Sequence, residues 1–277
     1  MPDALEVIIQ LVFKFRLSLG FYMTKLNIGV LISGGGSNLQ AIIDASLSGD
    51  ISATIAFVGS DNPEASGLER ARKAGIPTVV TPYSHIIREY RKNPDSVSVP
   101  DDFDLREIMD KQGLFHKTDD IAHAEAFFKT RAIAEAALLK KISGFSFDLL
   151  VLAGFMRTLS PYFIDRVNTD KSSPRIINIH PALLPAFPGV DGYGDTFSHG
   201  CKIAGCTVHF IDYGEDTGPI IGQKAFEILP GDTLESVKEK GLCLEWKLYP
   251  ECIQLIAEKR LILDSRKGKT VVVINEG

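Results

Sequence analysis

From Leu26 onward, short β-branched and apolar runs alternate with longer stretches in which apolar residues recur at helical spacing. The short runs predict strands over 27–32, 52–60, 78–81, 149–153, 176–180, 207–211 and 220–228. Leu149, Leu150, Val151 and Leu152 are apolar at consecutive positions, which suits a strand covered by helices on both faces. The longer stretches predict helices over 37–47, 64–74, 124–142, 161–167 and 233–259. Asp232 and Thr233, with Glu235 in the first turn, mark the start of the last helix. Pro250 inside it predicts a kink or a restart, because proline removes a donor and crowds the carbonyl one turn earlier. Strands alternating with crossover helices predict an α/β fold, an open, doubly wound, mainly parallel sheet with helices on both faces.

One folded domain is expected over 25–260. Residues 84–123 break the rhythm: they are charged and contain Pro94, Pro100 and the acidic run Asp101, Asp102, Asp104. They read as an insertion, a solvated excursion or lid. Residues 261–277 carry two apolar runs around a basic turn and predict a C-terminal hairpin or tail. Residues 1–24 read as an accessory N-terminal extension, with Met23 as an alternative start. Their apolar stretch is interrupted by Lys14 and Arg16 and falls short of the ~20 residues of a spanning helix. They open with Asp3 and Glu6 rather than with the positive charge of a secretory signal.

Composition adds little to the fold and more to the partners. Hydrophobic residues make up 45% and charged residues 23%, a globular balance. Lys and Arg number 30 against 35 Asp and Glu, a net charge of −5 that argues against nucleic acid or an anionic membrane as the main partner and leaves small-molecule substrates. Cys201, Cys206, Cys243 and Cys252 have neither the spacing of a zinc knuckle nor histidines to complete one. No metal is expected; reduced thiols and a cytoplasmic protein, monomer or homodimer, are.

Three stretches carry candidate chemistry. The first strand runs into Ser33-Gly34-Gly35-Gly36-Ser37-Asn38 and then a helix, a sharp turn whose bare N–H groups and helix N-terminus suit a phosphate. Leu39 stands where a dinucleotide fingerprint has its third glycine, and no lysine follows as in a Walker loop. The strand over 176–180 delivers Asn178 and His180 to one side at its carboxyl end, where open α/β sheets bind ligands, and Pro181 ends the ladder there. An amide donates to a developing oxyanion, and an imidazole serves as acid or base. The strand over 207–211 leads into Asp212-Tyr213-Gly214-Glu215-Asp216-Thr217-Gly218-Pro219, a loop that sets carboxylates at a strand end. A carboxylate beside an imidazole orients the ring and favours its protonated form.

Together these residues, with Leu152-Ala-Gly-Phe-Met-Arg157 and Asn178-Ile-His-Pro-Ala-Leu-Leu-Pro185, closely resemble phosphoribosylglycinamide formyltransferases, folate-dependent enzymes of purine synthesis in the formyltransferase superfamily. The resemblance covers about 26–82 and 124–260. It implies a Rossmann-like formyltransferase fold and formyl transfer from the co-substrate 10-formyltetrahydrofolate to the amine of phosphoribosylglycinamide. It makes Asn178, His180 and Asp216 catalytic, puts the substrate phosphate on Gly36, Ser37 and Asn38, and sets Glu245 at the glycinamide end. The folate is expected against Met156, Arg157, Thr158, Leu159 and Asp212, with Arg131 as a folate-side arginine.

Departures bear on the acceptor. After Gly189 the family runs on with histidines and an arginine, whereas this chain has Val190-Asp191-Gly192-Tyr193-Gly194-Asp195, so its loop is expected to close differently. Formyltetrahydrofolate deformylase resembles the same Asn-x-His and Asp regions, but it lacks the Gly-Ser-Asn turn, and it carries a leading regulatory domain for which 25 residues are too few. A transferase acting on initiator tRNA is disfavoured by the negative charge. A non-catalytic folate or sugar-phosphate binder remains as a reading outside the enzymes.

Overall fold

The computed structural model describes residues 25–94, 97–116 and 120–275; the N-terminal extension lies outside the described residues. Seven strands, β1 (Leu26–Ile32), β2 (Ala53–Ser60), β3 (Thr78–Val80), β4 (Leu149–Leu152), β5 (Ile176–His180), β6 (Ile203–Phe210) and β7 (Ile220–Glu227), form one sheet in the order β3-β2-β1-β4-β5-β6-β7. β1 to β5 run parallel, and β6 and β7 add antiparallel at one side. The described helices are α1 (Ser37–Ser48), α2 (Gly67–Lys73), α3 (Tyr83–Lys92), α4 (Leu105–Lys111), α5 (Ile121–Ile142), α6 (Pro161–Val167), α7 (Gly192–Ser198) and α8 (Leu234–Ala257). A two-stranded sheet of β8 (Leu261–Arg266) and β9 (Lys269–Ile274) follows. No described helix is long and apolar enough to cross a membrane.

Alternation across the strands builds a core on each face. Ile28, Val30 and Ile32 of β1 and Leu149 and Val151 of β4 pack with Leu39 and Ile42 of α1, Leu68 of α2 and Ile253 of α8. Leu31, Leu150 and Leu152 point the other way, onto Leu138 and Ile142 of α5 and Phe163 of α6. The consecutive apolar run in β4 is therefore two stripes, one for each layer.

One expectation is narrowed and one is corrected. The last helix does not restart at Pro250; α8 is continuous through it. Tyr249, Pro250, Cys252 and Ile253 are all buried there, and the Tyr249 hydroxyl donates to the carbonyls of Leu152 (2.9 Å) and Ile177 (3.2 Å). Burying several such side chains at roughly 1.5–3 kcal/mol each outweighs the ~3 kcal/mol that proline costs inside a helix. The insertion is not a solvated excursion. It carries α3 and α4, and Ile108 of α4 is buried with Phe128 and Ala132 of α5 and Tyr162 of α6, flanked by Phe103, Leu105, Met109, Leu114 and Phe115. Its apolar residues find their partners far along the chain, which a charged local composition conceals.

Candidate active site

The carboxyl ends of β1, β4 and β5 share one edge of the parallel sheet, and a cavity of about 680 Å³ opens there. Every expected site residue except Arg131 lines it: Asn178, His180 and Asp216; Gly36, Ser37, Asn38 and Glu245; Met156, Arg157, Thr158, Leu159 and Asp212. The β5–β6 register sets His209 opposite Asn178, so Asn178, His180 and His209 project from the same face.

His180 is 2% exposed and held at both ring nitrogens. Nδ1 lies 3.2 Å from Asp216 Oδ2, and Nε2 lies 2.8 Å from the Phe187 carbonyl. Asp216 Oδ2 also accepts the Gly189 N–H at 2.9 Å, while Oδ1 stands 3.6 Å from His209 Nε2, beyond hydrogen-bond length. Burial raises the pKa of Asp216, but the neighbouring His209, the Gly189 N–H and His180 outweigh this and hold the carboxyl below its ordinary value. Phe187 (φ 54°) and Asp216 (φ 53°), the two residues that grip the imidazole, are both non-glycine residues in the left-handed region. Such strain persists only where surrounding contacts over-determine it, as at functional sites.

At the other end of the cavity, Gly36 (φ 68°) turns the chain into α1, whose first turn has no side-chain cap. Arg70 of α2 lines the cavity beside this turn and donates to the Gly35 carbonyl at 2.9 Å. The turn thus combines helix-end N–H groups with a guanidinium, a setting for a phosphate. The Asn38 side chain is turned away from it: its Nδ2 donates to Glu245 Oε2 at 2.7 Å. Glu245 Oε1 accepts the Tyr193 hydroxyl at 2.9 Å. Glu245 is 5% exposed, and burial raises its pKa against these two hydrogen bonds. Both of its oxygens are thus met by neutral donors.

The folate-side expectations divide. Met156, Thr158 and Leu159 follow β4 along the cavity wall. Arg157 lines the cavity too, but its guanidinium is engaged by Asp61 (2.5 Å) and Ser84 (2.8 Å). Arg131 stands apart from these: it is buried in α5, with its guanidinium over the rings of Phe127 (4.7 Å) and Tyr83 (5.9 Å), and it does not line the cavity. Sequence position on a helix does not fix which way the side chain leaves it.

Sequence reasoning missed Tyr193, Arg70 and His209. The stretch that departs from the family pattern folds as α7, capped by Asp191 through the Gly194 N–H (3.3 Å) and paired through Asp191 with Lys238 (3.3 Å). Two glycines in seven residues hide that helix. His209 carried a signal, since it precedes the acidic loop in an alternating strand.

Among the described residues no His, Cys, Asp and Glu side chains cluster to hold a metal ion. Burial pushes the Cys206 and Cys252 thiols up to about 12, away from reactive thiolates.

Residues 26–253 match the formyl transferase family. Phosphoribosylglycinamide formyltransferase of Escherichia coli is 35% identical over 236 residues, covering 85% of this chain and 89% of that protein. The trifunctional purine biosynthetic protein adenosine-3 of Bos taurus is 34% identical over 84% of this chain, which spans only 18% of that longer relative. The crystal structure of glycinamide ribonucleotide transformylase 1 from Symbiobacterium toebii superposes with a TM-score of 0.67 at 36% identity, covering 91% of this chain and 94% of that one. The phosphoribosylglycinamide formyltransferase of Coxiella burnetii, solved with CHES, gives 0.65 at 32%, covering 88% and 95%. With most of its length matched in sequence and in fold, the chain belongs to the formyl transferase family.

Proposed function

We propose that this chain transfers a formyl group from 10-formyltetrahydrofolate to the amine of phosphoribosylglycinamide in purine biosynthesis. The observation that carries the reading is one cavity lined both by Asn178, His180 and Asp216 and by the phosphate-suited turn at residues 36–38. The names of the bacterial relatives that it matches over most of their length support the same transfer.

The substrate phosphate binds at the turn of Gly36, Ser37 and Asn38, with Arg70 beside it, and Glu245 faces the amine end. The folate lies along Met156, Arg157, Thr158, Leu159 and Asp212. The amine nitrogen attacks the formyl carbon, forming a C–N bond and an oxyanion. Asn178, whose amide makes no hydrogen bond to a described residue, donates to that oxygen, and the His180 ring stabilises the charge. Asp216 holds the ring, and its carboxyl, kept ionised well into acid, serves the proton that leaves the amine for the folate nitrogen as the old C–N bond breaks.

The test is a folate-release assay with 10-formyltetrahydrofolate, with and without phosphoribosylglycinamide. Release that depends on the amine supports the transferase. Equal release without it means hydrolysis, as in the deformylase, and silence in both arms leaves a folate or sugar-phosphate binder.

A further inference from the structure

The inserted arm touches the loop that carries Asp216 in two independent ways. The Gly113 N–H donates to the Tyr213 carbonyl at 2.8 Å, and Gly113 and Gly214 form a parallel bridge. A Cβ on Gly113 would stand 3.3 Å from Gly214 Cα, so the two backbones meet with no side chain between them. Separately, Lys111 at the end of α4 pairs with Asp165 of α6 at 2.6 Å and with Glu107, while Asp165 Oδ1 accepts the Tyr213 hydroxyl. The Lys111 and Asp165 side chains are 28% and 25% exposed, so the pair is partly shielded and firmer than a surface contact.

The arm is itself fixed. Ile108 is buried against α5 and α6, and Asp102 takes the Tyr162 hydroxyl (2.9 Å) and the Arg166 guanidinium (2.6 Å). Gln112 Oε1 accepts the N–H groups of Leu114 (2.8 Å) and Phe115 (2.7 Å). On the other side of the contact, Asp212 Oδ1 accepts from Gly214 N (3.1 Å) and Thr217 Oγ1 (2.6 Å), closing the loop around Asp216. A displacement at Tyr213 or Gly214 therefore reaches Asp216, whose left-handed backbone needs outside support. No described residue of the arm lines the cavity, so it acts only through the loop.

We propose that the arm at residues 105–115 is a brace for the carboxylate loop, with Lys111 and Tyr213 as positioning residues that hold Asp216 against His180. The catalytic part rests on the role proposed above for Asp216; the bracing itself does not.

The test uses the full chain with Lys111→Met, Tyr213→Phe, the double variant and Lys111→Arg. Hydrogen exchange of the amides at residues 211–218 should quicken about tenfold in Lys111→Met and Tyr213→Phe, while β5 stays protected. In turnover, kcat should fall about tenfold with KM for phosphoribosylglycinamide nearly unchanged, since a misplaced catalytic group costs rate. The acid limb of the kcat profile should move to higher pH, as Asp216 loosens from His180, His209 and the Gly189 N–H that hold its pKa down. The double variant should be no worse than either single one, as expected for one chain of contacts, and Lys111→Arg should restore most of the rate. Unchanged loop exchange, or losses that simply add, would overturn the brace. A wild type without formyl transfer would instead sink the functional reading, and the exchange data would still decide on the brace.

Discussion

At the scale of single residues, the site sets groups held by several contacts beside an amide, that of Asn178, that makes no side-chain hydrogen bond to a described residue. His180 is gripped at both nitrogens, Asp216 is hydrogen-bonded and strained, and Glu245 is met at both oxygens. Asn178 lines the cavity with its amide unpaired among the described residues. Asn178→Ala should therefore leave the fold and the binding of both substrates nearly intact and lower kcat about 100- to 1,000-fold, the usual loss for one oxyanion donor. Single-turnover kinetics with each substrate's Kd measured separately would check this, and a wild-type rate would remove Asn178 from the mechanism. Tyr193 offers a different outcome. Tyr193→Phe keeps the ring and removes the hydroxyl that Glu245 accepts at 2.9 Å, leaving a buried carboxylate oxygen short of a donor. KM for phosphoribosylglycinamide should rise about fivefold to tenfold with kcat within about twofold, because a hydrogen bond to a charged group contributes roughly 1.5 kcal/mol. An unchanged KM would mean that the hydroxyl merely fills space.

Among the elements, α8 carries both Glu245 and a glycine that only its neighbour explains. Gly→Ala inside a helix ordinarily stabilises by about 1 kcal/mol. At Gly241 the sign should reverse, because an added Cβ would lie 2.1 Å from Tyr193 Cζ. Gly241→Ala should lower stability by about 1–3 kcal/mol, the usual cost of overpacking, and displace Tyr193 from Glu245. Thermal unfolding would show it; stabilisation by Gly241→Ala would refute the contact. This pairing was not legible in the sequence, since Gly241 and Tyr193 read as a weak helix position and a loop residue. The seven main strands were legible, because apolar residues facing two helix layers leave unbroken runs such as Leu149–Leu152. So was the shared cavity, since Asn178 and His180 alternate on one strand. The two helices of the insertion were not, because their apolar partners Phe128 and Tyr162 lie on α5 and α6. The carboxylate's second neighbour, His209, was legible only in part: strand alternation marks the residue, and the register between strands decides where it stands.

Taken whole, the molecule carries carboxyls shifted in opposite directions, and their balance sets how stability varies with pH. Asp216, Asp165, Asp102 and Asp232 have pKa values below the ordinary one, so they favour the folded state above about pH 4 and lose that contribution as pH falls. Glu135 of α5 does the reverse. It is fully buried, accepting the Ser160 N–H at 2.8 Å and the Ser160 hydroxyl at the end of the wall lined by Met156 to Leu159. Burial pushes its pKa up to about 7, against the hydrogen bonds from Ser160 and the charges of Arg131 and Arg166. An acid raised from its ordinary value near 4.5 binds more protons folded than unfolded between those limits. Its penalty is absent below about pH 4.5 and complete above about pH 7, so stability should decline across that window by about 3 kcal/mol from this group. Glu245, also raised by burial, adds to the same slope. Glu135→Gln keeps an acceptor for the Ser160 N–H and cannot ionise, so its stability curve should be flatter and its advantage over wild type should grow as pH rises. Denaturant titrations from about pH 5 to about pH 7.5 would read this directly. Parallel curves for the two proteins would mean that Glu135 ionises as easily folded as unfolded, and that the folate-side wall is anchored by a carboxylate paired more fully than its contacts with Ser160 imply.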